Sequence, residues 1–204
     1  MRPPERTRIR VSPGAPALLA VFVWLSSPEV LGAVLLAALC HELGHYAALR
    51  RRGGWVRAVR ISALGAEMQV AGRMSYGGEL LAAAGPAVNL LLAAALGLPG
   101  RWWEPLYLLA GAQAVLGCFN LLPILPLDGG RMLWLALCWG TDPFLADRVT
   151  QAVSLAAAGL LTVAGAALAR RSPFLLWTAA ALLVCAAAPC IKRRRSVYAS
   201  HKGR

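Results

Sequence analysis

The stretch LCHELGHYAALRRRGG, residues 39–54, places two histidines and a glutamate in an apolar run that ends in three consecutive arginines. Such a run avoids water, yet His41, Glu42 and His45 carry groups that need water, a proton partner or a metal ion. Moving a charged side chain to the centre of a bilayer costs about 3 kcal/mol or more. Ionisable residues inside a membrane-spanning segment therefore predict a functional site.

The composition predicts that this segment belongs to a membrane protein. The chain has 204 residues, of which 58% are hydrophobic and 15% are charged, whereas about 25% of the residues of a soluble domain are charged. One helical crossing of a bilayer needs about 20 apolar residues. We therefore predict an all-α membrane protein of about six transmembrane helices, from the apolar runs 14–27, 29–49, 79–98, 105–139, 149–169 and 173–190.

The fourth run is too long for one regular crossing. It contains NLLPILPLDGG, residues 120–130, in which two prolines and two glycines break helical hydrogen bonding. We interpret the run as a single kinked or partly unwound crossing.

Residues 55–77 predict a different structure, a short membrane-associated β-hairpin after the second span. Apolar residues alternate loosely with polar ones there, and glycines interrupt the stretch, as in short strands. Two interpretations remain open at this stage. The stretch is either a surface loop or an exposed strand edge that binds an extended peptide as an added strand.

The net charge of +12 indicates topology rather than nucleic-acid binding, because the basic residues cluster just outside apolar runs. Cytoplasmic flanks of membrane spans carry such an excess of lysine and arginine, which also favours contact with anionic lipid. We expect an integral protein of the bacterial cytoplasmic membrane with both termini in the cytoplasm. Its parts are a basic N-terminus (1–13), a six-span membrane domain (14–190) and a basic tail (191–204).

The pattern HELGH predicts a metal site. Residues four apart on a helix lie on one face, about 5–6 Å apart, so His41 and His45 can reach one metal ion. Glu42 is turned about 100° from His41 because a helix has 3.6 residues per turn. It therefore points beside the metal, where a general base takes a proton from water.

Two histidines leave a catalytic zinc site incomplete, because such a site has three protein ligands and an open position. Asp128, in Leu127-Asp128-Gly129-Gly130, is the candidate third ligand, and we expect the glycines to free the backbone there. One alternative is that Asp128-Gly129 only forms a turn. Another is that Glu79 or Glu104, at predicted span edges, supplies the third ligand.

Three motifs of the chain resemble those of the site-2 proteases, the intramembrane zinc metalloproteases. They are HELGH (41–45), AGPAVN (84–89) and NLLPILPLDGG (120–130). The resemblance covers residues 28–140, the expected catalytic core. The layout is similar to that of small bacterial sporulation-type members, and we therefore expect a protein without a PDZ or CBS domain.

The resemblance implies one zinc ion per chain, held by His41, His45 and Asp128, with Glu42 as the general base. It also implies that Asn89 and Asn120 line the active site, where they bind the substrate backbone or stabilise the oxyanion. Asparagines in membrane spans also join helices without any catalytic role, and this alternative stays open for both.

The expected function is hydrolysis of peptide bonds of a membrane-embedded or membrane-tethered protein near the cytoplasmic face. A transcription-factor precursor or its regulator is the kind of substrate that the resemblance implies. Two other functions use the same residues, a membrane metal transporter and a catalytically inactive scaffold that binds membrane helices. The expected partners are a membrane protein substrate and the lipid bilayer, and the sequence predicts no oligomeric state.

Overall fold

The computed structural model describes residues 8–12, 16, 20, 22–24, 26–62, 65–71 and 78–167. The expected first span is described only in part, and the sixth span and the basic tail lie outside the described residues. The fold is mostly helical, and the chain divides into two compact units between Phe119 and Asn120. Its elements are β1 (Arg8–Val11), α1 (Pro28–Arg51), β2 (Trp55–Ser62), β3 (Gly65–Ala71), α2 (Gly78–Gly97), a 3₁₀ turn (Pro99–Arg101), α3 (Glu104–Asn120), α4 (Asp128–Gly140) and α5 (Pro143–Ala167).

Helix α1, which carries the HELGH pattern, has a defined start and end. Ser27 is its N-cap, and the Ser27 hydroxyl accepts from the Val30 N–H at 3.4 Å. At the other end Gly53 has a φ of +72°, and its N–H donates to the Arg50 carbonyl at 3.0 Å. The Gly54 N–H donates to the Leu49 carbonyl at 3.0 Å. This pair of bonds is a Schellman motif, so the glycines after the arginines end the helix.

The described faces of α1 are inverted relative to a helix of a soluble protein. Apart from Leu49, its buried residues are small or polar: Ala33, Ala37, His41 and Gly44. Large apolar side chains lie on the exposed side: Leu35, Leu36, Leu39, Leu43 and Tyr46. Apolar exposure with a polar interior is the arrangement expected where lipid surrounds the helix.

Two of the described helices, α1 and α5, are long and apolar enough to cross a membrane. Residues Leu81–Gly97 of α2 form a shorter apolar helix. The count of six crossings stays a prediction.

Helices α1 and α2 approach each other closely through glycine. A Cβ atom on Gly44 would lie 2.8 Å from the Ala84 carbonyl oxygen and 3.0 Å from Val88 Cγ2. Any larger residue at position 44 would therefore push the helices apart. Small residues are the usual means of close helix packing in membranes.

Strands β2 and β3 pair antiparallel over much of the stretch in which a hairpin was predicted, with an irregularity between Val56 and Ala58. Its association with a membrane stays a prediction. Strand β1 pairs parallel with β2, so that Arg8 lies opposite Ala58 and Val11 opposite Ile61. The sequence predicts only a basic N-terminus for this part of the chain. A strand of four residues that pairs with a strand about 50 positions away has too short a pattern to be predicted from its own sequence.

The fourth apolar run is interrupted, as the interpretation of a kinked or partly unwound crossing expects. Helix α3 ends at Asn120 and α4 begins at Asp128, and residues 121–127 between them form turns and bends. The Leu125–Pro126 peptide bond is cis. Prolines lack the N–H that a helix needs and disfavour helical geometry in the preceding residue, which explains why two separate helices form.

Helix α5 packs on α4 and on the 121–127 loop through a face of small residues. Ala146, Thr150, Ser154 and Ala158 recur every four positions and are fully buried. Ile124 of the loop is equally buried and packs with Ala158 in an apolar cluster. Leu122, Leu127, Leu155, Ala157 and Leu161 surround that cluster.

Candidate metal centre

The two histidines of the HELGH pattern meet edge to face on α1. Their Nε2 atoms lie 3.1 Å apart, and the rings are inclined by 80° with their centroids 4.8 Å apart. His41 is buried, with 6% of its surface exposed, and His45 is half-buried. Two nitrogen lone pairs approach this closely only when a proton or a cation lies between them.

Helix α2 fixes the orientation of His45. The His45 Nδ1 atom lies 2.7 Å from the Leu81 carbonyl oxygen. Because a carbonyl only accepts, Nδ1 is the protonated nitrogen and donates this bond. In the neutral ring the lone pair then resides on Nε2. Metal-binding histidines are commonly oriented in this way by a bond from the other ring nitrogen.

Gly85 on α2 lies directly against both imidazoles. A Cβ atom at this position would collide with His45 Nε2, and it would lie 2.8 Å from His41 Nε2. The glycine of the AGPAVN motif is therefore required by the close approach of α2 to the histidine pair.

Glu42 follows His41 on α1 and is half-buried. Its position on the helix is the one expected of a residue beside the metal rather than of a ligand. The role of general base stays a prediction.

Asp128 is the first residue of α4 and is buried, with 7% of its surface exposed. Its peptide unit starts the helix, so the Asp128-Gly129 pair does not form the simple turn considered as an alternative. The N-terminal end of a helix favours a negative charge. The fold therefore places the Asp128 carboxyl group, a possible metal ligand, at the N-terminal end of α4.

The two glycines after Asp128 are required for close packing rather than for the backbone freedom that was predicted. Gly53 is the one described glycine with positive φ, so Gly129 and Gly130 do not supply unusual backbone freedom. A Cβ on Gly129 would collide with the backbone of Leu121 and Leu122, and one on Gly130 would lie 2.6 Å from the Ile124 carbonyl carbon. The glycines let the loop pack against the first turn of α4.

Among the described residues, His41, His45 and Asp128 form a group of three ligand side chains that could hold a metal ion. Of the alternative ligands, Glu104 is exposed at the start of α3 and does not belong to this group. The side chain of Glu79 lies outside the described part of the chain.

The two predicted substrate-binding asparagines differ in their settings. Asn89 has none of its surface exposed, and its amide donates to the Ala37 carbonyl at 3.5 Å, which joins α2 to α1 one turn before His41. Gly117 of α3 packs against Asn89, since a Cβ there would lie 3.2 Å from Asn89 Cβ. Asn120 is half-buried at the end of α3. Substrate binding by either asparagine stays a prediction.

Ser154, whose buried hydroxyl on α5 contacts the loop before Asp128, is not among the site residues predicted from the sequence. Its Oγ accepts from the Leu125 N–H at 3.0 Å and lies 3.3 Å from the Pro123 carbonyl oxygen. The signal that could have found it is the four-residue spacing of small residues along α5.

Residues 99–164, which include Asp128, match Peptidase family M50. The chain is 37% identical over 139 residues to a relative named as zinc metalloprotease Rip3, of Mycobacterium tuberculosis, an alignment that spans 56% of this chain and 32% of the relative. It is 31% identical over 175 residues to one named as zinc metalloprotease sll0528, of Synechocystis, with 71% and 45% of the two chains covered. The chain thus spans less than half of the length of these relatives.

The fold is similar to that of the solved site-2 protease from Methanocaldococcus jannaschii. The TM-score is 0.68 at 20% sequence identity, and the superposition covers 91% of this chain and 92% of that one. Together with the match to Peptidase family M50 and the relatives named as zinc metalloproteases, this fold confirms the resemblance to site-2 proteases that the three motifs indicated.

Proposed function

Since part of the chain matches Peptidase family M50 and the chain has the fold of a site-2 protease, we propose that it is an intramembrane zinc metalloprotease. The observation that carries the proposal is the histidine pair, with its Nε2 atoms 3.1 Å apart and Nδ1 of His45 bonded to the Leu81 carbonyl. The relatives' names as zinc metalloproteases support the choice of metal.

The donors of the site suit a zinc ion. Zinc–nitrogen bonds of about 2.0–2.1 Å in a tetrahedral arrangement imply a nitrogen–nitrogen separation of about 3.3 Å, close to the value for the two Nε2 atoms. His41 and His45 would hold the ion through Nε2, and Asp128 would hold it through a carboxylate oxygen. Two imidazoles and one carboxylate leave a fourth position open, as catalytic zinc sites require.

In the proposed reaction a bound zinc ion would lower the pKa of water to about 7 and polarise the scissile carbonyl. The Glu42 carboxylate accepts the proton of the attacking water at an oxygen of its side chain. It then donates that proton to the departing amine as the peptide bond breaks. A carboxylate beside the ligands rather than among them can carry out both transfers.

The two asparagines would assist in different ways. The Asn120 amide would donate to the substrate backbone or to the developing oxyanion, without adding a charge to the membrane. The contact of Asn89 with Ala37 favours positioning of α1, although its amide is also a candidate donor to the substrate.

The proposed substrate is a membrane-embedded or membrane-tethered protein that is cut near the cytoplasmic face. A helix hides its scissile carbonyls in its own hydrogen bonds, so the substrate must be extended before hydrolysis. Strand β3, at an edge of the described sheet in the order β1-β2-β3, is suited to hold such a segment by strand addition. We place both termini of the enzyme in the cytoplasm, in accord with the basic flanks.

A single substitution tests the proposal. Glu42→Gln removes the base but none of the proposed ligands, so peptide hydrolysis should fall by at least about 100-fold while zinc content stays near that of the wild type. Glu29→Gln, in the exposed first turn of the same helix, is the matched control and should cut normally. Full activity of Glu42→Gln would refute the assignment of the base. Lack of zinc in the wild type would refute the proposed enzyme.

A further inference from the structure

Ser154 is connected to the loop before Asp128 by two hydrogen bonds. Its Oγ accepts from the Leu125 N–H at 3.0 Å and donates to the Pro123 carbonyl at 3.3 Å. The hydroxyl thus joins the peptide groups on either side of Ile124 to α5, and none of the Ser154 surface is exposed.

These hydrogen bonds satisfy peptide groups of a loop that has no regular backbone hydrogen bonding. Inside an apolar environment each unpaired peptide N–H or carbonyl costs several kcal/mol. The loop is not helical, and the two prolines that interrupt it prevent a regular ladder of bonds. Loss of the Ser154 hydroxyl would remove these hydrogen bonds of the Leu125 N–H and the Pro123 carbonyl. The loop would then shift to form new ones.

A shift of the loop would be transmitted to Asp128. The Leu127 N–H donates to the Ile124 carbonyl at 2.8 Å, which joins the loop to the residue before the aspartate. Gly130 packs so closely on the loop that an added Cβ would lie 2.7 Å from the Leu125 nitrogen. Loop and first helical turn therefore move together.

We propose that Ser154 is a positioning residue, which holds the Asp128 carboxylate in the place required of a metal ligand. The inference rests on the proposed function, because it assigns Asp128 the role of third ligand. Residues that orient metal ligands typically change metal affinity by about 10–100-fold when they are removed.

Thr150 provides a matched control on the same helix. It lies one turn before Ser154 on the same face and is equally buried. Its Oγ1 has no hydrogen-bond partner among the described residues. Thr150→Val therefore removes a buried hydroxyl without the loss of a bond to the loop.

The experiment measures metal binding by the full chain in detergent. Zinc affinity is determined by competition with a chelator, and the visible spectrum of the cobalt-loaded protein reports the geometry of the ligands. Ser154→Ala should weaken zinc binding by at least about 10-fold and alter the cobalt spectrum. Thr150→Val should match the wild type.

A second measurement needs no variant at Ser154. If the loop and the carboxylate are coupled, zinc must in turn stabilise the loop. Saturating zinc should therefore slow amide hydrogen exchange in a peptide that covers residues 121–127 of the wild type, and Asp128→Asn should lose this effect.

Each outcome has a definite meaning. Unchanged zinc affinity in Ser154→Ala, an equal loss in Thr150→Val, or exchange that zinc leaves unaltered would overturn the inference and leave the proposed function intact. A wild-type chain that binds no zinc would instead overturn the proposed function.

Discussion

Gly85 illustrates a constraint that acts on one residue and that hydrophobic patterns do not reveal. The site needs two imidazoles beside a neighbouring helix, and the space between them admits no side chain at position 85. The histidines and Asp128 could be predicted from the sequence because ionisable groups in apolar runs are costly. The reason for Gly85 could not be predicted, because it depends on the distance between α1 and α2.

We expect Gly85→Ala to disrupt the metal centre. The added methyl group collides with His45 Nε2 and crowds His41, so zinc affinity should fall by at least about 10-fold, as for lost support of metal ligands. Zinc bound by the purified protein measures the effect.

Gly32→Ala is the control for that experiment. Gly32 lies on α1 with nothing within 4 Å of an added Cβ, and alanine favours a helix by about 0.5–1 kcal/mol over glycine. It should bind zinc normally. Equal zinc binding by Gly85→Ala and Gly32→Ala would contradict the close packing of α2 on the histidines.

The choice of third ligand is also tested at this scale. Asp128→Ala should lose most of the bound zinc, whereas Glu79→Ala and Glu104→Ala should keep it. Metal analysis of the three purified variants distinguishes them. Zinc loss confined to Glu79→Ala or Glu104→Ala would transfer the role of ligand to that glutamate.

At the scale of elements, the end of α1 decides how the helix passes into β2. Gly53 adopts a φ of +72°, and an added Cβ atom would have no neighbour within 4 Å, so the restriction at this position is conformational rather than steric. The RRRGG pattern allowed the end of the second span to be predicted. The pairing of β2 with β1 could not be predicted, since β1 is short and lies far from β2 along the chain.

Gly53→Ala should therefore destabilise the protein by about 1–2 kcal/mol, the cost of a left-handed conformation for a residue with a Cβ. Gly53→Asn should cost less, because asparagine tolerates this region. The free energy of unfolding of the two variants, measured in one detergent, tests the order. Equal stability of Gly53→Ala and the wild type would show that the turn is not needed in this form.

The length of the loop between α3 and α4 could not be predicted from the sequence. Two prolines indicated an interruption, but the length of the break depends on partners outside the loop. Ser154 of α5 forms a hydrogen bond with the loop, and Ala158 packs against it. No pattern within residues 120–130 indicates which later helix the loop contacts. That the run makes a single crossing stays a prediction.

At the scale of the whole molecule, the apolar composition and the fold of a site-2 protease predict firm membrane integration. The protein should stay in the membrane pellet after extraction with high salt and alkaline carbonate, because these treatments remove only proteins held by electrostatic contacts. Immunoblots of the fractions measure the distribution. Release by high salt alone would contradict the assignment of membrane spans.

The inverted faces of α1 and the small residues along α5 determine which substitutions the chain tolerates. In a soluble protein, exchanges among large apolar residues in the interior are harmful and surface changes are mild. A saturation mutagenesis map should show the same contrast here, but with small residues at the strict buried positions and large apolar residues at the tolerant exposed ones. Leu35 and Leu160 would accept most large apolar replacements, because their side chains are exposed. Ala37 and Ala158 would not tolerate a larger side chain, because both are fully buried.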